Sequence, residues 1–282
     1  MSKILRLSLH TELDQQQQQQ AAEIYLAEQN WSPIVNADFA RRSLYPHDLE
    51  EAVAVIVDDA RNRDSIFPYG QLILLGKEEE QWKVLGSIHT VVSSKDQIHD
   101  ALSGVDCWNK FNNYGRLSPK AYNPHGERWV CFAIQTDPTL NKEKWGIKPA
   151  DTIIRGIKLL AFDDDRDFGD LSALDISKEI IVKAGSYHIN AINPLTRLSG
   201  FFRFCRKYRS TTAEDYARGI EKIVARDFIP QNAYEEDLVS ITKTCSLRYH
   251  LSRGARIEKL IPQFRVHDTA SKGYGASVLY SP

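Results

Sequence analysis

Several common signatures are missing from this 282-residue chain. Its four cysteines, Cys107, Cys131, Cys205 and Cys245, are widely spaced and form no CxxC pair, which argues against a disulfide framework and against a zinc site. The histidines show no HxxH or HExxH spacing, so no metal is expected. Neither a GxSxG elbow nor a Walker loop occurs. No apolar run approaches the ~20 residues that span a bilayer, and residues 1–8 alternate polar and apolar side chains instead of building a signal-peptide core. Charge of one sign is also lacking: 36 basic and 37 acidic residues leave a net charge of −1. No global field therefore favours nucleic acid or an anionic membrane. The expectation is a soluble, cytoplasmic protein with neither as a partner.

What is present has the texture of a mixed α/β domain. Hydrophobic residues make up 42% of the chain, enough for a sizeable core at this length. Ile4 to His10 reads as a strand, and the run Gln15–Gln20 continues into apolar residues at helical spacing. Leu49 to Arg61 keeps Ala52, Val55, Ile56 and Ala60 on one helical face. Gln71–Leu75 and Trp82–Val92 flank a charged turn and predict a hairpin. Trp129–Ile134 is continuously apolar, as a strand covered on both faces would be. A polar loop then leads to a helix opened by Pro149. Later elements are a helix over 176–184, a strand over Tyr187–Asn193, helices over 211–225 and 235–253, and closing strands over 256–264 and 276–280. No repeat or linker divides the chain, so a single domain over residues 1–282 is expected, with insertions at about 94–128 and 197–234.

Four segments have chemical potential. A strand, loop and helix N-terminus over 129–150 can cradle a pyrophosphate with unpaired N–H groups, or can be a solvated basic loop. His250 stands four residues before Gly254, where it can move a proton near neutral pH or simply meet the last carbonyls of a helix. Arg265 can pair bidentately with a carboxylate, or form a salt bridge to Asp268 or a nearby acid. Residues 201–209 interleave aromatic and basic side chains: the aromatics can pack inward, or the segment can bind a phosphate of a ligand, an acidic protein or single-stranded nucleic acid. Cys131, inside its apolar run, reads as a buried small hydrophobe.

Ser246-Leu247-Arg248-Tyr249-His250-Leu251-Ser252-Arg253-Gly254-Ala255, followed by a strand and the tail Gly273-Tyr274-Gly275-Ala276, resembles the closing segment of the GNAT acyltransferase superfamily. It is most similar to the subset with Phe-His-x-x-x-Gly-Ala, which includes GNAT-like domains of polyketide synthase loading modules. The resemblance implies a mixed, mostly antiparallel sheet with helices on both faces and a splayed central parallel strand pair at Trp129–Thr136 and Tyr187–Asn193. It implies acyl-coenzyme A, acetyl- or malonyl-, as co-substrate. The pantetheine arm would meet the backbone of Ala133, Ile134, Gln135 and Thr136, and the pyrophosphate the loop with Lys144, Gly146, Ile147 and Lys148. That loop matches the family's Gln/Arg-x-x-Gly-x-Gly/Ala only at Gly146; Glu143 and Lys148 replace the outer residues. By the same resemblance His250 and Thr196 would be catalytic, and Arg265 and Asn193 would contact the acyl group. On its own residues Thr196 reads as a turn position after Pro194. The implied activity is acyl transfer to a small amine or a carrier-protein thiol. Decarboxylation of malonyl-coenzyme A with loading of an acyl carrier protein is one alternative. Regulatory binding of coenzyme A without turnover is another.

Overall fold

The computed structural model describes residues 4–28, 48–112, 117–140, 145–162 and 174–282. Lys144, Glu143 and the acidic patch at 163–165 lie outside the described residues. The chain forms two compact units, one built from residues 1–95 and 112–190, the other from 96–111 and 191–281.

In the first unit, alternating residues make β1 (Leu5–Leu9), which pairs antiparallel with β2 (Gln71–Glu78). Between them run α1 (Gln15–Glu28), containing the glutamine run, and α2 (Leu49–Ile66). Asp48 caps α2 by accepting from the Glu51 N–H, which satisfies one of the four orphan donors of a helix start. β2 turns through Glu79 and Glu80 into β3 (Gln81–Ser93), the expected hairpin with longer arms. The excursion after β3 holds two short helices, α3 (Lys95–Ala101) and α4 (Cys107–Asn112), whose residues 96–111 belong to the second unit. β4 (Arg128–Thr136) then pairs with β3, and α5 (Pro149–Phe162) opens at the expected proline. β5 (Leu174–Ile176) joins β1 in parallel, and α6 (Lys178–Ala184) follows.

The resulting sheet, in the order β5-β1-β2-β3-β4, is mixed and mostly antiparallel. Helices cover both its faces. Ser87 and His89 face α1 and α2, whereas a side chain at Gly86 would meet Ile153 of α5.

The second unit contains three antiparallel strands in the order β6-β8-β7: β6 (Ala191–Arg197), β7 (Arg256–Ile261) and β8 (Gly275–Leu279). Four helices precede β7: α7 (Phe201–Lys207), α8 (Ala213–Ile223), α9 (Ala233–Ile241) and α10 (Ser246–Leu251). Phe201, Phe204 and Tyr216 are buried together, with Tyr208 and Tyr234 packed on Phe204.

Two sequence expectations need correction. The helix expected over 235–253 is two helices, broken at Thr242–Cys245. Thr242 caps the first of them, and its Oγ1 donates back to the Leu238 carbonyl at 2.6 Å, an interaction that competes with helix continuation. The strand expected at Tyr187–Asn193 is β6 at Ala191–Arg197, so Thr196 is a strand residue and not a turn residue. Pro194 suggested an end because it has no N–H to give. Ile192 and Tyr280 exchange backbone hydrogen bonds, so the next such pair is Pro194 with Val278. The Val278 carbonyl, deprived of a residue-194 N–H, instead accepts from Asn193 Nδ2 at 2.7 Å. The neighbouring side chain thus repairs the ladder through the proline. The two strands expected to splay, β4 and β6, belong to different units.

Candidate functional site

The second unit's chemistry is organised by its strand register. Partners across an antiparallel ladder share a face, so Ile192, Thr196, Ala276, Val278 and Tyr280 point one way, and Asn193, Leu195 and Ser277 the other. His250 sits near the end of α10 with its ring buried, and Nδ1 lies 3.0 Å from the Tyr280 hydroxyl. The two residues expected to be catalytic, His250 and Thr196, therefore associate with one sheet face. Asn193 belongs to the other.

The termination of α10 fixes the ring. Gly254 adopts φ 83°, and the Ala255 N–H returns to the His250 carbonyl at 3.2 Å, the closure expected at a left-handed helix end. Burial, with the Arg253 charge as a smaller contribution, pushes His250 down to about 3. The imidazole is thus neutral at physiological pH. It has one N–H to give, and little tendency to hold a second proton.

Thr196 is buried, and its hydroxyl donates to the Arg197 carbonyl at 3.3 Å. Asn193 is fully buried and commits both amide hydrogens to β8, one to Val278 O and one to Ser277 Oγ at 2.8 Å. Ser277 Oγ in turn donates to Glu258 Oε2 at 3.0 Å. Arg265 is half-buried with its guanidinium 4.7 Å from the Trp108 ring centroid. The salt bridge considered between Arg265 and Asp268 is replaced by one from Arg197, at 3.8 Å. Trp108 is brought there by backbone bonds from Asp106 and Trp108 to the carbonyls of Gln263 and Phe264.

The residues expected to hold coenzyme A lie in the first unit. The Asp137 N–H bonds to the Leu85 carbonyl, so Gln135–Ser87 and Ala133–His89 continue the same phase of the ladder. Backbone groups of Ala133 and Gln135 are consequently spent on β3, whereas those of Ile134 and Thr136 point away from it. In the loop, Gly146 adopts φ 68°, and among the described residues no atom lies within 4 Å of where a Cβ would stand, which leaves its backbone open to approach on their side. Trp145 anchors the loop by lying so close over Gly76 that a Cβ there would come within 2.4 Å of its ring. Lys148 is exposed, and Ile147 is half-buried. Two features weaken the helix start as an anion cradle: Pro149 lacks an N–H, and Asp151 puts a negative charge in the first turn.

A further cluster was missed by the sequence reading. Beneath α1 and α2, a recess is lined by His10, Tyr25, Arg63, Gln71, Ser87 and His89, among others. His10 Nδ1 contacts Asp64 Oδ2 at 2.7 Å, Arg63 Nε donates to Gln71 Oε1 at 2.9 Å, and Ser87 Oγ donates to Gln135 Oε1 at 2.9 Å. Desolvation, reinforced by the nearby Arg63 and His10 charges, holds His89 well below its usual range. A signal did exist: Ser87 and His89 are polar residues at i and i+2, on one face of a strand whose neighbouring residues Val84, Leu85, Ile88, Val91 and Val92 are apolar.

Burial raises the thiols of Cys107, Cys131, Cys205 and Cys245, so none is an activated nucleophile. Among the described residues no group of three or more His, Cys, Asp or Glu gathers as metal ligands would, and no helix is long and apolar enough to cross a membrane.

No protein-family model and no curated protein matches the sequence. Among solved structures the chain is similar to GNAT-like domains. One is the GphF GNAT-like decarboxylase in complex with isobutyryl-CoA, at 16% identity and a TM-score of 0.49, covering 93% of this chain and 95% of that one. Another is the loading GNATL domain of CurA from Lyngbya majuscula, at 18% identity and 0.49, covering 100% and 98%. A third is a malonyl-CoA decarboxylase from Rhodopseudomonas palustris, at 12% identity and 0.48, where 99% of this chain spans 60% of that one. At such identities and scores the chemistry has to be read from this chain's own side chains.

Proposed function

We propose that this chain is a cytoplasmic GNAT-like enzyme that transfers an acyl group from acyl-coenzyme A to a carrier-protein thiol or a small amine, with both units serving one functional domain. The observation that carries the reading is the buried, neutral His250, held by the Tyr280 hydroxyl and associated with the sheet face that carries Thr196. The acceptor lone pair attacks the thioester carbonyl carbon, the C–S bond breaks, the acceptor loses a proton and the departing coenzyme A sulfur gains one. With its basicity so depressed, His250 is poorly suited to carry that proton. The Tyr280 hydroxyl lies within reach of both Nδ1, at 3.0 Å, and the His250 carbonyl, at 3.4 Å. In the tautomer where it donates to Nδ1 the ring proton sits on Nε2, and that neutral N–H can stabilise the developing oxyanion. Ile134 and Thr136 offer backbone groups suited to a pantetheine arm, and Gly146 with Lys148 an open, positively charged approach for phosphates.

The same observation favours a second reading. Decarboxylation of malonyl-coenzyme A breaks a C–C bond, releases carbon dioxide and moves the electron pair onto the thioester oxygen as an enolate, whose carbon then takes a proton from water, so it needs a donor at that oxygen more than a base. Arg265, stacked on Trp108, would then hold the malonyl carboxylate. The test is incubation with acetyl- and malonyl-coenzyme A, with and without an acceptor, and weighing of the products. His250→Ala is expected to cut turnover at least ~10-fold with coenzyme A affinity nearly unchanged. An unaltered rate removes His250 from the chemistry. Selective loss of the malonyl reaction in Arg265→Ala would decide for decarboxylation.

A further inference from the structure

The chain's near-zero net charge conceals an uneven distribution. Residues 191–281 contain fifteen Lys and Arg against nine Asp and Glu. Much of the surplus is gathered on and around α7. Phe201 and Phe204, three residues apart, turn inward onto Tyr216, which leaves Phe202, Arg203, Arg206 and Lys207 on the outside. Arg209 follows on the surface, and Lys272 reaches over the Phe201 ring at 5.2 Å. Phe202 remains 46% exposed in the middle of this set, an unusual place for a large apolar ring.

Of this set, among the described residues, the nearby acids pair only with Lys207. Asp237 is taken by Lys207 and the Tyr208 hydroxyl, Glu235 by Lys222, and Asp215 by the Thr212 cap. Among the described residues neither Arg206 nor Arg209 has an ionic partner. Nucleic acid fits poorly. Single strands are held by several exposed rings on which successive bases stack, and here burial of Phe201 and Phe204 leaves only Phe202 outward on the helix. One apolar anchor ringed by cations instead matches a protein surface that presents acids around an apolar centre.

We propose that α7, through Phe202, Arg203, Arg206 and Arg209, is the docking surface for an acidic acyl carrier protein bearing a phosphopantetheine thiol. The inference rests on the acyl-transfer reading above and names the acceptor's landing site. Charge complementarity of this kind speeds encounter and sets orientation, and it weakens with salt.

The test uses the full chain and a purified, phosphopantetheinylated acyl carrier protein of net negative charge, labelled for fluorescence anisotropy. The wild type is expected to bind it, and more weakly as salt is raised. Arg203→Glu/Arg206→Glu should weaken binding at least ~10-fold, and Phe202→Ser should weaken it measurably, while affinity for acetyl- and malonyl-coenzyme A stays at the wild-type value. All three side chains are exposed, so the variants should melt with the wild type, which separates lost docking from lost folding. Equal carrier binding by wild type and variants, no binding by the wild type, or tighter binding of an oligonucleotide than of the carrier would each overturn the docking surface. Mass analysis of the carrier keeps the two readings apart. A carrier that binds through α7 but never gains acyl mass sinks the transfer reading and leaves the surface standing. A carrier acylated equally by the charge-reversed variant does the reverse.

Discussion

The two units each bury one histidine to nearly the same degree, His89 at 6% exposure and His250 at 5%, and surround them differently. His89 lies among other ionisable groups: Arg63 and His10 bear on it, Tyr25 stacks on it at 5.9 Å and Phe132 meets it edge-on. Among the described residues His250 has a single polar side-chain partner, Tyr280, with Tyr249 and Tyr280 as its ring neighbours. Burial leads in holding both rings neutral, but His89 adds the charges of Arg63 and His10 and lies beside a set of hydrogen-bonded polar groups, whereas His250 adds only the smaller effect of Arg253. A satisfied network is what a structural cluster needs. A lone neutral donor held by one hydroxyl is what a site that meets a substrate can use, and this contrast directs the functional reading to the second unit.

The largest effect should come from breaking the network in the first unit. Arg63 is buried, its Nε donates to Gln71, and Gln71 Nε2 donates to the Ala60 carbonyl and to Asp64. Arg63→Leu would strand these groups and is expected to cost ~3–5 kcal/mol, read from urea unfolding. A cost below ~1 kcal/mol would mean that the cluster is loosely solvated and that the contrast with the second unit is wrong.

A smaller effect should appear as acid sensitivity. His250 falls from 6.5 in the unfolded chain to about 3 in the fold, so above pH 6.5 both states are neutral and its contribution is constant. As pH drops below 6.5 the unfolded chain takes up a proton that the native ring refuses. Stability is therefore lost from pH 6.5 down towards 3, at up to ~1.4 kcal/mol per pH unit. His250→Asn should flatten that part of the pH profile relative to wild type. His89 is lowered for the same leading reason, so a His89 substitution should also flatten it. Identical wild-type and His250→Asn profiles between pH 6.5 and 4 would show that the ring reaches water.

The unequal surroundings also explain which parts were legible in sequence. Local periodicity gave β1, α2, the β2–β3 hairpin, β4 and α5, because each is set by its own alternation, helical face or proline. The break at Thr242 was invisible: a threonine whose hydroxyl turns back on Leu238 looks in sequence like any tolerable helix residue. β6 was displaced by four residues because the Asn193 amide replaces the donor that Pro194 lacks, and that repair depends on Val278, eighty-five positions away. His250 was found because Gly254 marks its helix end, but its partner Tyr280 comes from the end of the chain and gave no local sign. The network of the first unit is spread from His10 to Gln135, so only the i, i+2 pair Ser87 and His89 hinted at it.

The smallest expected effect uses one glycine from each unit. Gly146 and Gly254 both occupy the left-handed region, at φ 68° and 83°, and among the described residues neither has an atom within 4 Å of where a Cβ would be added. Alanine at either position thus meets backbone strain and no clash, which should cost ~1–2 kcal/mol in thermal unfolding. Asparagine, more tolerant of that conformation, should recover part of it. Their effects on turnover should nevertheless diverge. The backbone bond from Ala255 to the His250 carbonyl depends on the turn at Gly254, so Gly254→Ala should disturb the ring and lower turnover on bound acyl-coenzyme A. Gly146 leaves its backbone exposed in the loop before α5, so Gly146→Ala should weaken coenzyme A binding and leave turnover of the bound substrate nearly intact. If both substitutions moved binding and turnover together, the division of labour between the two units would have to be given up.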